Sequence, residues 1–208
     1  AAEHWKIYLV TMLISFVSVV PFIIYAEVKR KMKRVFVGCV ALLLIAEIVL
    51  WGSGPHFWEL VIGVQIFFLA FNLMEALLPS LISKESPAGY KGTAMGIYST
   101  SQFLGVAIGG SLGGWVDGLF DSQTVFLAGA LLAMVWLLVA STMKEPRYVS
   151  SLRVEIPEEV DVSDALKQRL EAKEGVTEVL IVPEERSAYV KIDSKVTNRF
   201  EVEQALKA

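Results

Sequence analysis

The chain has 208 residues, 54% of them hydrophobic, with a formal net charge of −3. A mean hydropathy of +0.54 is too high for a soluble globular domain of this size and indicates a membrane protein. A single cysteine excludes an intrachain disulfide and a cysteine-based metal cluster. The acidic balance argues against nucleic acid as a partner, since phosphate binding needs a basic patch.

The charges are concentrated near the end of the chain. Residues 1–148 are apolar outside short connections, whereas residues 149–208 contain nine Lys or Arg and thirteen Asp or Glu. We therefore predict a membrane region at 1–148 and a small acidic domain at 149–208. Because Ala1 is not a start methionine and leads directly into an apolar run, we expect a fragment of a longer chain.

Five segments are long and apolar enough to be predicted as transmembrane helices: residues 5–25, 35–51, 57–82, 92–115 and 124–143. The first connection holds five cations, the third holds Lys84 and Lys91, and the tail opens with Lys144 and Arg147, whereas the second and fourth hold none. Lys and Arg stay on the cytoplasmic side of a membrane. The alternation therefore predicts that the chain begins outside the cytoplasm and that the tail domain is cytoplasmic.

The third predicted span contains polar residues that a helix serving only as a membrane anchor does not need. Glu75 lies deep in the span and shares a helical face with Asn72, Gln65 lies further up, and Pro79 follows. An acid at the centre of a span costs about 2.5–3.5 kcal/mol, so it usually faces a cavity or a partner. Glu75 is therefore either a protonatable transport site or a structural acid paired with a neighbouring helix. Glu47, one turn from an interfacial tryptophan, is interpreted as an interfacial acid.

The fourth predicted span combines polar side chains with small residues. Gln102 and Tyr98 either line a pathway or bond to a neighbouring helix. Gly105, Gly109 and Gly113 recur every four residues, a spacing that lets helix backbones approach closely in lipid. Plain helix packing and a seam that slides during function both fit this pattern.

The tail alternates in the order strand, helix, strand, strand, helix, which predicts a ferredoxin-like α+β domain without an obvious last strand. It resembles the heavy-metal-associated domain, a family that binds metal through cysteines between the first strand and helix. Here that loop is Pro157-Glu158-Glu159-Val160-Asp161, without cysteine or histidine. We expect no soft-metal site there, and a solvated acidic loop is favoured over a hard-cation site. The strand edge left open by the missing strand makes self-association through this domain a further expectation.

Three segments together resemble a known family: residues 71–83 (Phe-Asn-Leu-Met-Glu-Ala-Leu-Leu-Pro-Ser-Leu-Ile-Ser), 86–105 (beginning Ser-Pro-Ala-Gly-Tyr-Lys-Gly) and 109–114 (Gly-Gly-Ser-Leu-Gly-Gly). They are similar to the second half of a drug:proton antiporter of the major facilitator superfamily. The resemblance implies an all-α polytopic bundle, with these five helices belonging to a twelve-helix fold. It also implies proton-coupled efflux of a small molecule across a bacterial inner membrane. The N-terminal half of the carrier would be its partner, and no cofactor or enzymatic activity is implied.

The same resemblance assigns the loop after the first span to a conformational motif. The family carries Asp-Arg-x-Gly-Arg there. In this chain Glu27 stands at the acid and Lys31 at the second base, while Val28 replaces the first arginine and Arg30 replaces the glycine. A different class of function, a membrane-anchored sensor whose tail binds a ligand or partner, is the alternative. Polar residues inside the spans favour the carrier.

Overall fold

Five helices, a three-stranded sheet and two further helices form the fold in the computed structural model, which describes residues 4–54 and 56–207. The first five are α1 (His4–Val28), α2 (Met32–Ser53), α3 (Phe57–Glu85), α4 (Lys91–Leu119) and α5 (Ser122–Ser141). Within the described residues, α1, α2, α3 and α5 are long and apolar enough to cross a membrane. Glycine and polar residues make α4 less apolar, although its 29 residues exceed the length of a span.

Helices α1 to α4 are longer than the predicted spans, whereas α5 has the length of the span predicted at 124–143. α1 continues to Val28 and α2 begins at Met32, which places Glu27 in the last turn of α1 instead of a loop. α3 continues through Pro79 to Glu85. The physical reason is that hydropathy marks where the hydrocarbon ends, whereas backbone hydrogen bonding carries a helix on into the polar interface.

The described residues divide into two compact units, and the divisions fall within α3 and α4. The first unit comprises the described residues up to Ser80 together with Thr100–Glu145. The second comprises Leu81–Ser99 and the described residues from Pro146 onward. The second unit thus contains the tail and the connection between α3 and α4.

In the first unit, α2 and α5 form the most extensive helix pair. Small residues on α5, Ala130, Ala133 and Ala140, are buried, which lets the two helices approach closely. Phe36 and Trp136 meet edge to face with ring centroids 6.2 Å apart, a geometry that aromatic pairs prefer.

In the second unit, the tail folds as predicted from its alternation. β1 (Ser150–Glu155), β2 (Val176–Val182) and β3 (Ser187–Ile192) form an antiparallel sheet in the order β1-β3-β2. Helices α6 (Asp164–Glu171) and α7 (Arg199–Lys207) contribute to the same apolar core. Its fully buried members include Val154, Leu170, Val190, Val202 and Leu206. The ferredoxin-like order without a last strand is confirmed.

Gly175 is required at the turn before β2, and its substitution by alanine is expected to destabilise the tail by about 1–3 kcal/mol. Its φ is +85°, and an added Cβ would lie 2.9 Å from Val196 Cβ, an atom fixed to the backbone. Amide hydrogen exchange of the β2 and β3 core should report the loss. Lys195→Ala, at an exposed position nearby, is the control, and equal protection in both variants would contradict the prediction.

Candidate functional site

One polar contact within the first unit joins α3 to α4. Gln102 Nε2 donates a hydrogen bond of 2.6 Å to Glu75 Oε1. Glu75 itself is exposed and Gln102 is half-buried, so the rest of the carboxylate surface is uncovered within this unit. A hydrogen bond to a carboxylate is stronger than one between neutral groups. Two residues that were selected separately from the sequence therefore form one hydrogen-bonded pair.

The other polar residues selected on these helices have different surroundings. Gln65 Nε2 donates to Ser15 Oγ at 2.6 Å and so links α3 to α1. Asn72 is half-buried, and its Nδ2 has no hydrogen-bond partner among the described residues. Tyr98 is half-buried on α4, one turn before Gln102. Gln65 is thus part of a helix–helix contact, whereas Asn72 retains an unused donor one turn from Glu75 on the same helix.

The predicted conformational motif lies at the junction of α1 and α2. Glu27 Oε1 accepts a hydrogen bond of 2.8 Å from Ser80 Oγ on α3. Arg30 has a left-handed backbone with φ of 51°, and the Lys31 amide donates to the Ala26 carbonyl at 3.0 Å. The acid therefore links α1 to α3 at this end of the unit, while Arg30 and Lys31 form the turn.

The predicted glycine seam, formed by Gly105, Gly109 and Gly113, has almost no neighbouring atoms among the described residues. A Cβ added at Gly105 or Gly109 would meet nothing within 4 Å, and at Gly113 it would meet only Val125, at 3.9 Å. Close packing of this seam against another helix therefore stays a prediction. A different glycine is closely approached: a Cβ on Gly129 would lie 2.7 Å from Glu47 Oε2. Glu47 thus packs against the α5 backbone.

The tail contains a cavity of about 620 Å³ beside the β1–α6 loop. Arg186 and Arg199 line it together with Glu158, Glu185 and Glu203. The guanidinium of Arg186 also holds the loop, since Nη2 donates to the carbonyl oxygens of Pro157 at 2.6 Å and Val160 at 3.0 Å. Among the described residues, no group of three or more His, Cys, Asp or Glu side chains is arranged to hold a metal ion.

Several partners were missed by sequence reasoning. Ser15, Ser80 and Gly129 contact Gln65, Glu27 and Glu47, respectively. Ser15 carried a usable signal, because Thr11 and Ser15 place two small polar residues on one face of an apolar helix, and both are buried. A single serine or glycine in a span carries no comparable signal.

Comparison with known proteins identifies one relative that covers the whole chain and others that cover part of it. It is 76% identical over 207 residues to the inner membrane transport protein YajR of Escherichia coli, covering 100% of this chain and 46% of that protein. It is 40% identical over 107 residues to an uncharacterized transporter of Buchnera aphidicola subsp. Acyrthosiphon pisum, covering 51% of this chain and 27% of the relative. A second uncharacterized transporter, from Buchnera aphidicola subsp. Baizongia pistaciae, is 34% identical over 137 residues, covering 64% and 34%.

The chain spans less than half the length of each of these relatives. The family model described as the YajR YAM domain matches residues 152–208, which contain β2, β3, both helices of the tail fold and all but the first two residues of β1. Over its whole length the chain therefore resembles the C-terminal part of the YajR inner membrane transporter, and its residues 152–208 match the YAM-domain model.

Proposed function

We propose that the chain forms the C-terminal half of a secondary transporter of the major facilitator superfamily, which exports a small molecule in exchange for protons. The relatives support a transport role, since each is named as a transporter. The observation that carries the finer proposal is the hydrogen bond between Gln102 and Glu75. It places a titratable group at a contact between two helices of the apolar region.

The pair is chemically suited to both protonation states. Glu75 Oε1 accepts a hydrogen bond from the Gln102 amide, an arrangement that suits an ionised carboxylate. A protonated carboxyl becomes a donor, and the same amide then offers its carbonyl oxygen as acceptor after rotation. The charged form of Glu75 is costly inside a membrane. Binding of a proton therefore favours an apolar environment for this helix pair, and release of the proton favours a polar one. That is what an alternating-access carrier needs at its coupling site.

The proposal also assigns sides of the membrane and partners. Five cations at residues 29–34, three of them between α1 and α2 and two in the first turn of α2, support a cytoplasmic location for that connection and for the tail. The bilayer, an N-terminal half and a small-molecule substrate are the proposed partners. The open edge of β1 in the β1-β3-β2 sheet supports self-association of the tail as an additional property.

Reconstitution tests this proposal, because a carrier cavity forms between two repeat bundles. Proteoliposomes containing only residues 1–208 are expected to match empty liposomes in the uptake of ethidium under a pH gradient. A full-length carrier containing this chain is expected to move the dye. Gradient-driven uptake by the 208-residue chain alone would contradict its assignment as one half of the transporter.

The second candidate, a membrane-anchored sensor, is favoured by one observation, the tail cavity of about 620 Å³. Charged residues of both signs line it, including Arg199 and Glu203, so a zwitterionic or polar ligand would fit its chemistry. The two functions make different demands on Glu75. A sensor would retain its output after Glu75→Gln, whereas the proposed carrier would lose proton coupling.

A further inference from the structure

One face of the tail sheet is not used for the domain's own core. Along β3, Val190 and Ile192 belong to the core, so Tyr189 and Lys191 lie on the opposite face. Tyr189 is paired with Leu180 on the neighbouring strand β2. We call Leu180, Tyr189 and Lys191 the open face. Within the second unit, this face contacts residues 84–90, which comprise the end of α3 and the segment that leads into α4 and which we call the α3–α4 connection.

The polar part of the contact is made by Lys191. Its side chain is only 4% exposed, and Nζ donates to the carbonyl oxygen of Lys84 at 2.7 Å. Lys84 lies in the last turn of α3, where carbonyl groups lack partners within the helix and a cation is favourable. Burial lowers the pKa of Lys191, and the attraction of Glu178 opposes this. The Lys191 ammonium is thus buried away from water, and it donates to the C-terminal end of α3, which lies outside the tail's own core.

The apolar part of the contact is specific for glycine. Gly89 has a φ of +79°, and a Cβ there would lie 2.5 Å from Leu180 Cδ2 and 3.6 Å from Tyr189 Cγ. Its neighbours Ser86 and Ala88 are buried. The backbone of Gly89 therefore packs directly against the open face. Any other residue type would be strained at this φ.

Two further contacts tie the beginning of the tail to the same connection. The Arg147 amide donates to Glu85 Oε1 at 3.2 Å, and the Lys84 ammonium lies 5.9 Å from the centroid of the Tyr148 ring. A cation at this distance from an aromatic ring is attracted to it. The connection is thus held by the sheet and by the segment that leads into it.

We propose that the open face of the tail is a latch for the α3–α4 connection, with Lys191 as its polar anchor, and that the engaged latch restrains the cytoplasmic ends of α3 and α4 during transport. The latch itself stands on the contacts above, whereas its effect on transport rests on the proposed function. Through the latch, the tail acts directly on α3 and α4, although it takes no part in the translocation path.

Hydrogen exchange on the whole chain in detergent micelles tests the latch. In Lys191→Met the amides of Ser86 and Tyr90, which are hydrogen-bonded in the structure, are expected to exchange about tenfold faster, because a charged hydrogen bond is lost. Lys191→Arg keeps a donor and is expected to exchange more slowly than Lys191→Met. Lys195→Met removes the same charge from an exposed position and should match the wild type.

The β3 amides are measured in the same experiment and should stay protected in every variant. Unchanged exchange at 86–90 in Lys191→Met would overturn the latch, and so would loss of β3 protection together with the loop. Leu180→Ala is a second variant that removes the contact with Gly89. It should also speed exchange at 86–90, and wild-type exchange there would contradict the proposal.

A transport measurement tests the restraint separately. In proteoliposomes of a full-length carrier, Lys191→Met is expected to change the rate of ethidium movement, while Lys195→Met leaves it unchanged. An unchanged rate together with faster loop exchange would overturn the restraint. Absence of ethidium movement by the wild-type carrier would count against the proposed function, and the exchange experiment would still decide the latch.

Discussion

Glu75→Gln is expected to reduce proton-driven transport by a full-length carrier by about tenfold or more, because a positioned proton-transfer group is lost. Glutamine has nearly the same shape and keeps an oxygen that can accept from Gln102, so the contact between α3 and α4 survives. Only the ability to bind and release a proton is removed. Counterflow and pH-gradient-driven uptake of ethidium, measured side by side, separate coupling from substrate binding. We expect uptake to fall and counterflow to persist.

Glu47→Gln is the matched control for this prediction. It removes the same charge from a helix of the same unit, at a position where the carboxylate packs against Gly129. Transport should therefore stay near the wild-type rate. Equal activity of both variants would reject a transport role for Glu75. A structural role would appear differently, as a lower melting temperature of Glu75→Gln in detergent with unchanged transport per folded molecule.

The order of helices and strands could be predicted from the sequence, because burial in lipid and burial in a small core leave different periodicities. Long apolar runs indicated the spans, and the alternation of Ala188, Val190 and Ile192 indicated β3 and its core side. The helix ends could not be predicted as well, since Glu27 belongs to a helix that outlasts the hydrophobic segment.

Contacts between distant residues were the main information that the sequence lacked. Glu75 was selected for its depth in a span and Gln102 as a polar residue in the next one, but their pairing depends on how α3 and α4 rotate about their own axes. Lys191 was not selected from the sequence, because it lies on the side of β3 opposite the apolar residues. Its role depends on Lys84, more than a hundred residues away, and no local pattern encodes that distance.

The tail loop at residues 157–161 is organised by a side chain of the same domain. Sequence reasoning found that the loop at residues 157–161 lacks metal-ligating cysteine and histidine, and interpreted it as a solvated acidic loop. In the structure, a cation nevertheless organises this loop, namely the guanidinium of Arg186, which binds two of its carbonyl oxygens. Arg186 adopts a left-handed backbone with φ of 44° to do so. The backbone strain is offset by hydrogen bonds that only a long cationic side chain can reach.

Arg186→Met is accordingly expected to lower the free energy of opening of the β1–α6 loop by about 2 kcal/mol, since two hydrogen bonds from a charged donor are lost at a partly exposed site. Arg186→Gly separates the backbone from the side chain. It loses the same hydrogen bonds but relieves about 1 kcal/mol of left-handed strain, so it should be less destabilised than Arg186→Met. Hydrogen exchange of residues 157–162 in the detergent-solubilised chain measures both. Addition of a chelator should leave the wild-type protection unchanged, because the bound cation is a side chain. Wild-type protection in Arg186→Met, or a loss of protection on chelation, would contradict this assignment of the loop.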